Sequence, residues 1–176
     1  MALDALAIAL IGVLVCLWWL WRLHLGRPVD VLPPELRTAQ LIYAERLFRS
    51  TGLVSITAKV DRVYRNGANE LVLLELKTRC ASRAYLSDVI ELSAQRIAVM
   101  AQTGEPVSGH GYVLIEEPWS GKTTWHRVEL IGSGAVTALA LRREALLAGE
   151  VDADCAQSSG ICRTCAFRSG CCRPAA

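Results

Sequence analysis

The sequence predicts an α/β fold, a mixed sheet flanked by helices, and three observations carry that prediction. Helical and strand patterns follow one another as helix, strand, strand, helix, strand, strand, helix. The stretch AKVDRVYRNGANELVLLELK reads as two strands around an Asn-Gly turn, and its second half is apolar enough for an interior strand. The chain has 176 residues, and its apolar excess sits at the N-terminus, which leaves one domain plus appendages. The expected division is residues 1–25 as a transmembrane anchor, 26–34 as a proline-containing linker, 35–150 as the α/β domain and 151–176 as a cysteine-rich tail.

Ala5–Trp21 carries no charge, and Leu23–Gly26 continues its apolar character beyond Arg22. A bilayer-crossing helix needs roughly 20 apolar residues, with about 17 as the lower limit. Trp18, Trp19 and Trp21 gather at one end, where indole rings favour the membrane interface. A signal peptide would begin with a basic segment, and here the chain begins MALD. A buried core helix would rarely be apolar all round. Asp4 precedes the span while Arg22, Arg27 and Arg37 follow it. The positive-inside rule then predicts a single-pass protein of the inner (plasma) membrane with its C-terminal domain in the cytoplasm.

Gly26–Pro34 contains three prolines and reads as a semi-extended linker. Glu35–Arg49 has apolar residues near helical spacing and reads as an amphipathic helix, stopped by Ser50-Thr51-Gly52. Leu53–Tyr64 alternates and is rich in β-branched residues, and Leu71–Thr78 is the more buried strand. Ala84–Gln102 reads as a helix with Val89 or Ile90, Leu92 or Ser93, Ile97 and Met100 on its apolar face. Ser87 and Asp88 offer it a cap, and Gly104 and Pro106 end it. Val107–Glu116 and Lys122–Leu130 are the last two strands, and Ser133–Leu147 a helix expected to pack back on the sheet.

Chemistry concentrates on the hairpin. A fold symmetric about Ala68 sets Asp61 opposite Glu75, with Lys77 on the same face two residues on. Two close carboxylates repel unless a cation lies between them, and hard oxygens suit Mg²⁺ or Mn²⁺. Such a cation with a nearby lysine suits hydrolysis of a phosphodiester. Glu-x-Lys by itself is more often a solvated ion-pairing face. Its context separates it from that: LVLL precedes it, Asp61 lies a hairpin's length before it, and a helix carrying polar Gln95 follows.

That order of motifs resembles the PD-(D/E)XK nuclease superfamily, and within it the RecB-like branch that includes CRISPR-associated exonucleases and the AddB nuclease domain. The resemblance rests on AKVD, Glu75-x-Lys77 and AQRIAVMA, and runs from about Glu35 to Cys171. It implies a restriction-endonuclease-like core, with Asp61 and Glu75 as metal ligands, Lys77 as the catalytic lysine and Gln95 positioning Lys77 or the substrate. It implies metal-dependent cleavage of DNA, often at single-stranded ends. Members often carry a further His ligand on the first helix; here Glu45 is the acidic substitute, and Val99 or Met100 stands where an aromatic follows Gln95.

Five of the seven cysteines crowd into the last 22 residues. In a cytoplasmic domain, clustered thiols suggest a metal rather than disulfides. Cys162, Cys165 and Cys171 have a spacing that resembles the [4Fe–4S] group of the RecB-like branch. Cys155 is the nearest fourth ligand, with Cys172 and Cys80 as rivals. Thiolates also suit zinc. Net charge is only +2, which does not by itself mark a nucleic-acid binder. The expected partners are nonetheless nucleic acid, DNA first, and the membrane. Two other readings remain: a nuclease fold of weakened activity that binds nucleic acid or a protein partner, and a membrane-anchored metal-cluster protein.

Overall fold

The computed structural model describes residues 32–152 and, ahead of them, Gly12, Val15 and Trp18. The expected membrane span, most of the linker and the tail cysteines Cys155, Cys162, Cys165, Cys171 and Cys172 lie outside the described residues. Among the described residues no helix is long and apolar enough to cross a membrane.

The first unit runs as α1 (Pro34–Arg37), β1 (Gln40–Ser50), β2 (Ile56–Arg65), β3 (Leu71–Thr78), α2 (Leu86–Thr103), β4 (Val107–Glu116) and β5 (Thr123–Glu129). The five strands form one sheet in chain order. Every neighbouring pair is antiparallel except β3 and β4. Parallel neighbours need a long crossover, and α2 supplies it. A second unit begins at Gly134, and its described part is essentially α3 (Ser133–Ala148).

The helix expected over Glu35–Arg49 is instead one turn, α1, followed by an eleven-residue strand. Ile42, Tyr43, Leu47 and Phe48 have a spacing that suits either state. Pairing decides between them: β1 runs antiparallel to β2 from Gln40↔Arg65 to Ser50↔Ile56 and satisfies the backbone edge of β2. The other strands lie within three residues of their expected bounds, and β3 and β4 match them at both ends.

Phe48, Val63, Leu71, Leu73, Val113 and Ile115 form a buried cluster with Leu92, Ala98 and Val99 of α2. Each of these side chains except Ala98 contributes about 1.5–3 kcal/mol by leaving water. A Cβ at Gly111 would stand 3.2 Å from the Leu73 carbonyl oxygen of the neighbouring strand and 3.5 Å from the Leu92 side chain of α2, so the helix packs against a strand that has no side chain at that point. Leu36, Tyr64, Val72, Leu74, Tyr112 and Leu114 make a second cluster on the other face.

Helix α2 starts where the Asp88 carboxylate reaches back to accept the Tyr85 N–H at 2.7 Å. It ends at Gly104, whose φ of 71° is the left-handed cap conformation. Its buried stripe runs Asp88, Leu92, Gln95 and Val99, and Met100, expected on the apolar face, is exposed. A glutamine therefore occupies the middle of the helix's buried side.

Candidate active site

The hairpin β2–β3 pairs Arg62 with Leu74, so one further step sets Asp61 across from Glu75. This is the register that symmetry about Ala68 predicts. The regular ladder stops there, and the Asp61 side chain takes over: its Oδ2 accepts the Leu76 N–H at 2.7 Å. One acid oxygen thus ties the two strands together where they part. Cross-strand partners share a face, so Asp61, Glu75 and Lys77 all lie on the side that α2 covers.

Glu75 is the centre of the cluster and is 4% exposed. Its Oε1 accepts from Lys77 Nζ at 2.6 Å, and its Oε2 accepts from Gln95 Nε2 at 2.7 Å. Gln95 Nε2 also donates to the Lys59 carbonyl oxygen at 3.3 Å. The Gln95 Oε1 is buried with no hydrogen-bond partner among the described residues. Lys77 Nζ makes a second bond, to Glu91 Oε2, at 2.7 Å.

The electrostatics follow from this crowding. Burial pushes the Glu75 carboxyl up to about 7, and the negative charges of Asp61 and Glu91 add to the shift. The bonds from Lys77 and Gln95 oppose it without cancelling it. Burial also works against the Lys77 charge, but its bonds to Glu75 and Glu91 prevail and hold its pKa above the ordinary lysine value. With Glu75 ionised, three carboxylates face one ammonium.

A divalent cation would relieve that excess, and the donors are the hard oxygens that Mg²⁺ or Mn²⁺ prefers. Among the described residues no group of three or more His, Cys, Asp or Glu side chains converges as a complete ligand set. Mg²⁺ commonly needs only one or two protein carboxylates, with water and substrate phosphate completing its shell. Asp61 and Glu75 fit that pattern.

An ion pair fixes α2 over the site. Arg79, two residues beyond Lys77, binds Asp88 through Nη2 at 2.6 Å and Nη1 at 3.2 Å. It also donates to the Arg83 carbonyl oxygen at 2.7 Å and stacks over the Tyr85 ring. Burial raises the Asp88 carboxyl, but Arg79 and the Tyr85 N–H outweigh it and hold its pKa below the usual value. The start of α2 is thereby anchored to the end of β3, which sets where Glu91 and Gln95 fall.

Of the residues singled out in the sequence, Asp61, Glu75, Lys77 and Gln95 come together. Glu45 does not join them. It lies on β1, not on a helix, with a φ of 51°, and its exposed carboxylate is ion-paired with Lys59. Cys80 is a free, exposed thiol just beyond β3. Glu91 escaped the sequence reading. Its signal was present: it stands four residues before Gln95, hence on the same face of one helix.

A family model described as the PD-(D/E)XK nuclease superfamily matches residues 16–172. Among solved structures, one titled "Crystal structure of SSO0001" matches with a TM-score of 0.51 and 14% sequence identity. The match covers 74% of this chain and 59% of that one. At that identity the likeness is one of fold. No curated protein matches the chain.

Proposed function

The chain belongs to the PD-(D/E)XK nuclease superfamily, and from that premise we propose that it is a metal-dependent DNA nuclease of the RecB-like branch, tethered to a membrane. The reading rests above all on Glu75. One buried carboxylate gathers Lys77 from its own strand and Gln95 from α2, with Asp61 beside it across the hairpin.

The reaction is attack of water on a phosphodiester phosphorus: a P–O bond to the water oxygen forms, the P–O bond to one sugar oxygen breaks, and that oxygen leaves with its sugar as a hydroxyl, taking the proton that the water gives up. A divalent cation held by Asp61 and Glu75 would supply Lewis-acid charge to the phosphate and acidify a water. Lys77 brings an ammonium to the place where negative charge grows on the phosphate. Gln95 fixes the Glu75 carboxylate by holding its second oxygen. Asp61 is fixed by the Leu76 N–H, which leaves its other oxygen for the cation.

The remaining assignments rest on sequence. Residues 1–25 form a single-pass anchor in the inner membrane, and the nuclease domain faces the cytoplasm. Cys155, Cys162, Cys165 and Cys171 hold a [4Fe–4S] cluster, with Zn²⁺ as the alternative, which fixes the tail. The substrate is DNA, cut from single-stranded ends. A second reading, a nuclease fold kept for binding alone, draws on one observation: Lys77 is clasped between two carboxylates.

Cleavage of single-stranded DNA by the full-length chain, with and without Mn²⁺, tests the proposal. Metal-dependent cleavage that Asp61→Ala and Lys77→Ala each abolish supports it. Cleavage that survives both substitutions rules out this site, and binding without cleavage favours the second reading. An absorption spectrum of anaerobically purified protein decides between iron–sulfur and zinc.

A further inference from the structure

A concave feature lies beside the acidic cluster. Ile115 on β4 is the register partner of Lys77 on one side and of Thr124 on the other. It forms the floor of a cleft of about 230 Å³ whose walls include Arg79, Ser82, Glu117, Lys122 and Thr124. Neighbouring strands run about 4.8 Å apart, so this cleft begins one strand over from Lys77, on the face that α2 covers. The Ser82 and Thr124 hydroxyls, 2.6 Å apart, join the β3–α2 connection to β5.

The rim is a tight turn at the tip of the β4–β5 hairpin. The Glu117 N–H donates to the Lys122 carbonyl oxygen at 2.9 Å, and the Gly121 N–H donates to that of Glu117 at 2.9 Å. Gly121 adopts a φ of 66°, which suits glycine. Trp119 stands on this turn and is 88% exposed. An indole presented to solvent on a hydrogen-bonded turn, whose two ends, Glu117 and Lys122, line a polar cleft with an aliphatic floor, calls for a flat partner. Lys122 at the same rim makes no side-chain bond among the described residues.

We propose that this cleft receives one nucleobase of the strand that passes the active site, with Trp119 stacking on the neighbouring base and Lys122 against the adjoining phosphate. The site rests on the nuclease reading above and names what that nuclease prefers: an unpaired strand, since a base within a duplex is unavailable for insertion. A phosphate inside the cleft is disfavoured. Arg79 is already committed to Asp88 and Arg83, and the Glu117 carboxylate shares the lining. One Glu117 oxygen accepts from the Ser120 hydroxyl, which leaves the other, the lone pairs of the paired Ser82 and Thr124 hydroxyls and the Ile115 side chain to match the donors and apolar faces of a base. Stacking on an aromatic side chain tolerates any sequence, so the preference is for single strands and not for a base order.

The test uses the full-length chain carrying Lys77→Ala to prevent cleavage, a fluorescent single-stranded oligonucleotide and the matching duplex. Trp119→Ala is expected to weaken single-strand binding about tenfold, and Trp119→Phe to restore most of it. Lys122→Gln weakens binding a few-fold and lowers its salt dependence. Duplex affinity stays within about twofold throughout. An abasic scan of the oligonucleotide should find one position whose loss is no longer felt in the Trp119→Ala protein. Trp119 is at the surface, so unchanged thermal melting verifies folding. Equal affinity of all variants for single strands overturns the proposal, while Asp61→Ala in the cleaving protein still reports on the nuclease reading by itself. Loss of binding to anionic vesicles in Trp119→Ala, with oligonucleotide affinity unchanged, also overturns it and assigns the tryptophan to the membrane.

Discussion

A buried glutamate, Glu75, and a half-buried one, Glu35, on opposite faces of the same sheet have opposite electrostatics. Glu75, under α2, shares its site with Asp61 and Glu91, and its carboxyl is pushed up to about 7. Among the described residues, the hydrogen-bond partners of Glu35, on α1, are all donors. Its Oε2 accepts from the Tyr112 hydroxyl at 2.6 Å and from His110 Nε2 at 3.0 Å, and its Oε1 accepts from Asn66 Nδ2 at 3.2 Å. Burial raises its carboxyl too, but those bonds outweigh it and hold its pKa below the usual value. Burial alone therefore does not distinguish a site from a fastening. The sign of the neighbours does: donors around Glu35 lock α1 to the sheet, whereas acids around Glu75 leave a charge excess that a cation would relieve.

The sharpest way to break this contrast is to remove charge from each side and measure cleavage. Asp61→Ala or Lys77→Ala is expected to lower the rate of metal-dependent DNA cleavage by about 100-fold or more. Glu35→Ala, measured well below its melting temperature, is expected to change it less than about threefold. Equal losses on both faces would mean that the two clusters are not functionally distinct.

Stability should show the reverse ranking. Glu35→Ala leaves the Tyr112 hydroxyl, His110 and Asn66 short of an acceptor and is expected to cost about 1–3 kcal/mol in urea unfolding. Glu75→Gln removes a buried charge at pH 8 and keeps a polar partner for Gln95, so the metal-free chain is expected to be unchanged or more stable. That variant would still lose cleavage.

The parts of this contrast that sequence revealed are those set by local pattern. An apolar run ending at Glu75, bounded by an Asn-Gly turn, defined β3 and the Asp61–Glu75 register without tertiary knowledge. Gln95 was legible through the motif that surrounds it. Strand β1 was not, because the spacing of Ile42, Tyr43, Leu47 and Phe48 fits a helix as well as an edge strand, and only pairing with β2 decides. The Glu35 fastening joins residues 75 and 77 positions apart, which no local pattern reports. Glu91 was hidden by helix rotation: the expected apolar face held Ile97 and Met100, whereas the buried stripe runs through Leu92, Gln95 and Val99.

The two glutamates also predict opposite pH slopes. Glu75 has a folded pKa of about 7 against an ordinary value of 4.5, so the folded chain binds the extra proton. Its contribution to stability is complete below about pH 4.5 and is lost as pH rises toward 7. Glu35 is shifted down from 4.5, so its contribution is present above that value and is lost as pH falls through the folded pKa. Melting curves of Glu75→Gln and Glu35→Gln between pH 3 and 8 should each lose the slope of one limb and keep the other. Mn²⁺ binding by the unsubstituted chain should strengthen as Glu75 ionises and level off above about pH 7, because a cation competes with the proton for that carboxylate.

The smallest expected effect belongs to Glu91, and it separates two roles of one residue. Glu91 holds Lys77 by a hydrogen bond, and its charge also raises the Glu75 carboxyl. Glu91→Gln keeps an oxygen for Lys77 but removes the charge. Cleavage at pH 8 should then fall only a few-fold, while the pH at which Mn²⁺ binding levels off moves down, since Glu75 loses a repelling neighbour. Glu91→Ala removes both and should give the same pH shift with a larger loss of rate, because Lys77 keeps only Glu75 as a partner. A pH shift common to both variants, with a rate difference between them, assigns the charge to tuning Glu75 and the oxygen to placing Lys77. Identical profiles for both variants and the unsubstituted chain would make Glu91 a solvated helix residue and leave Lys77 positioned by Glu75 alone.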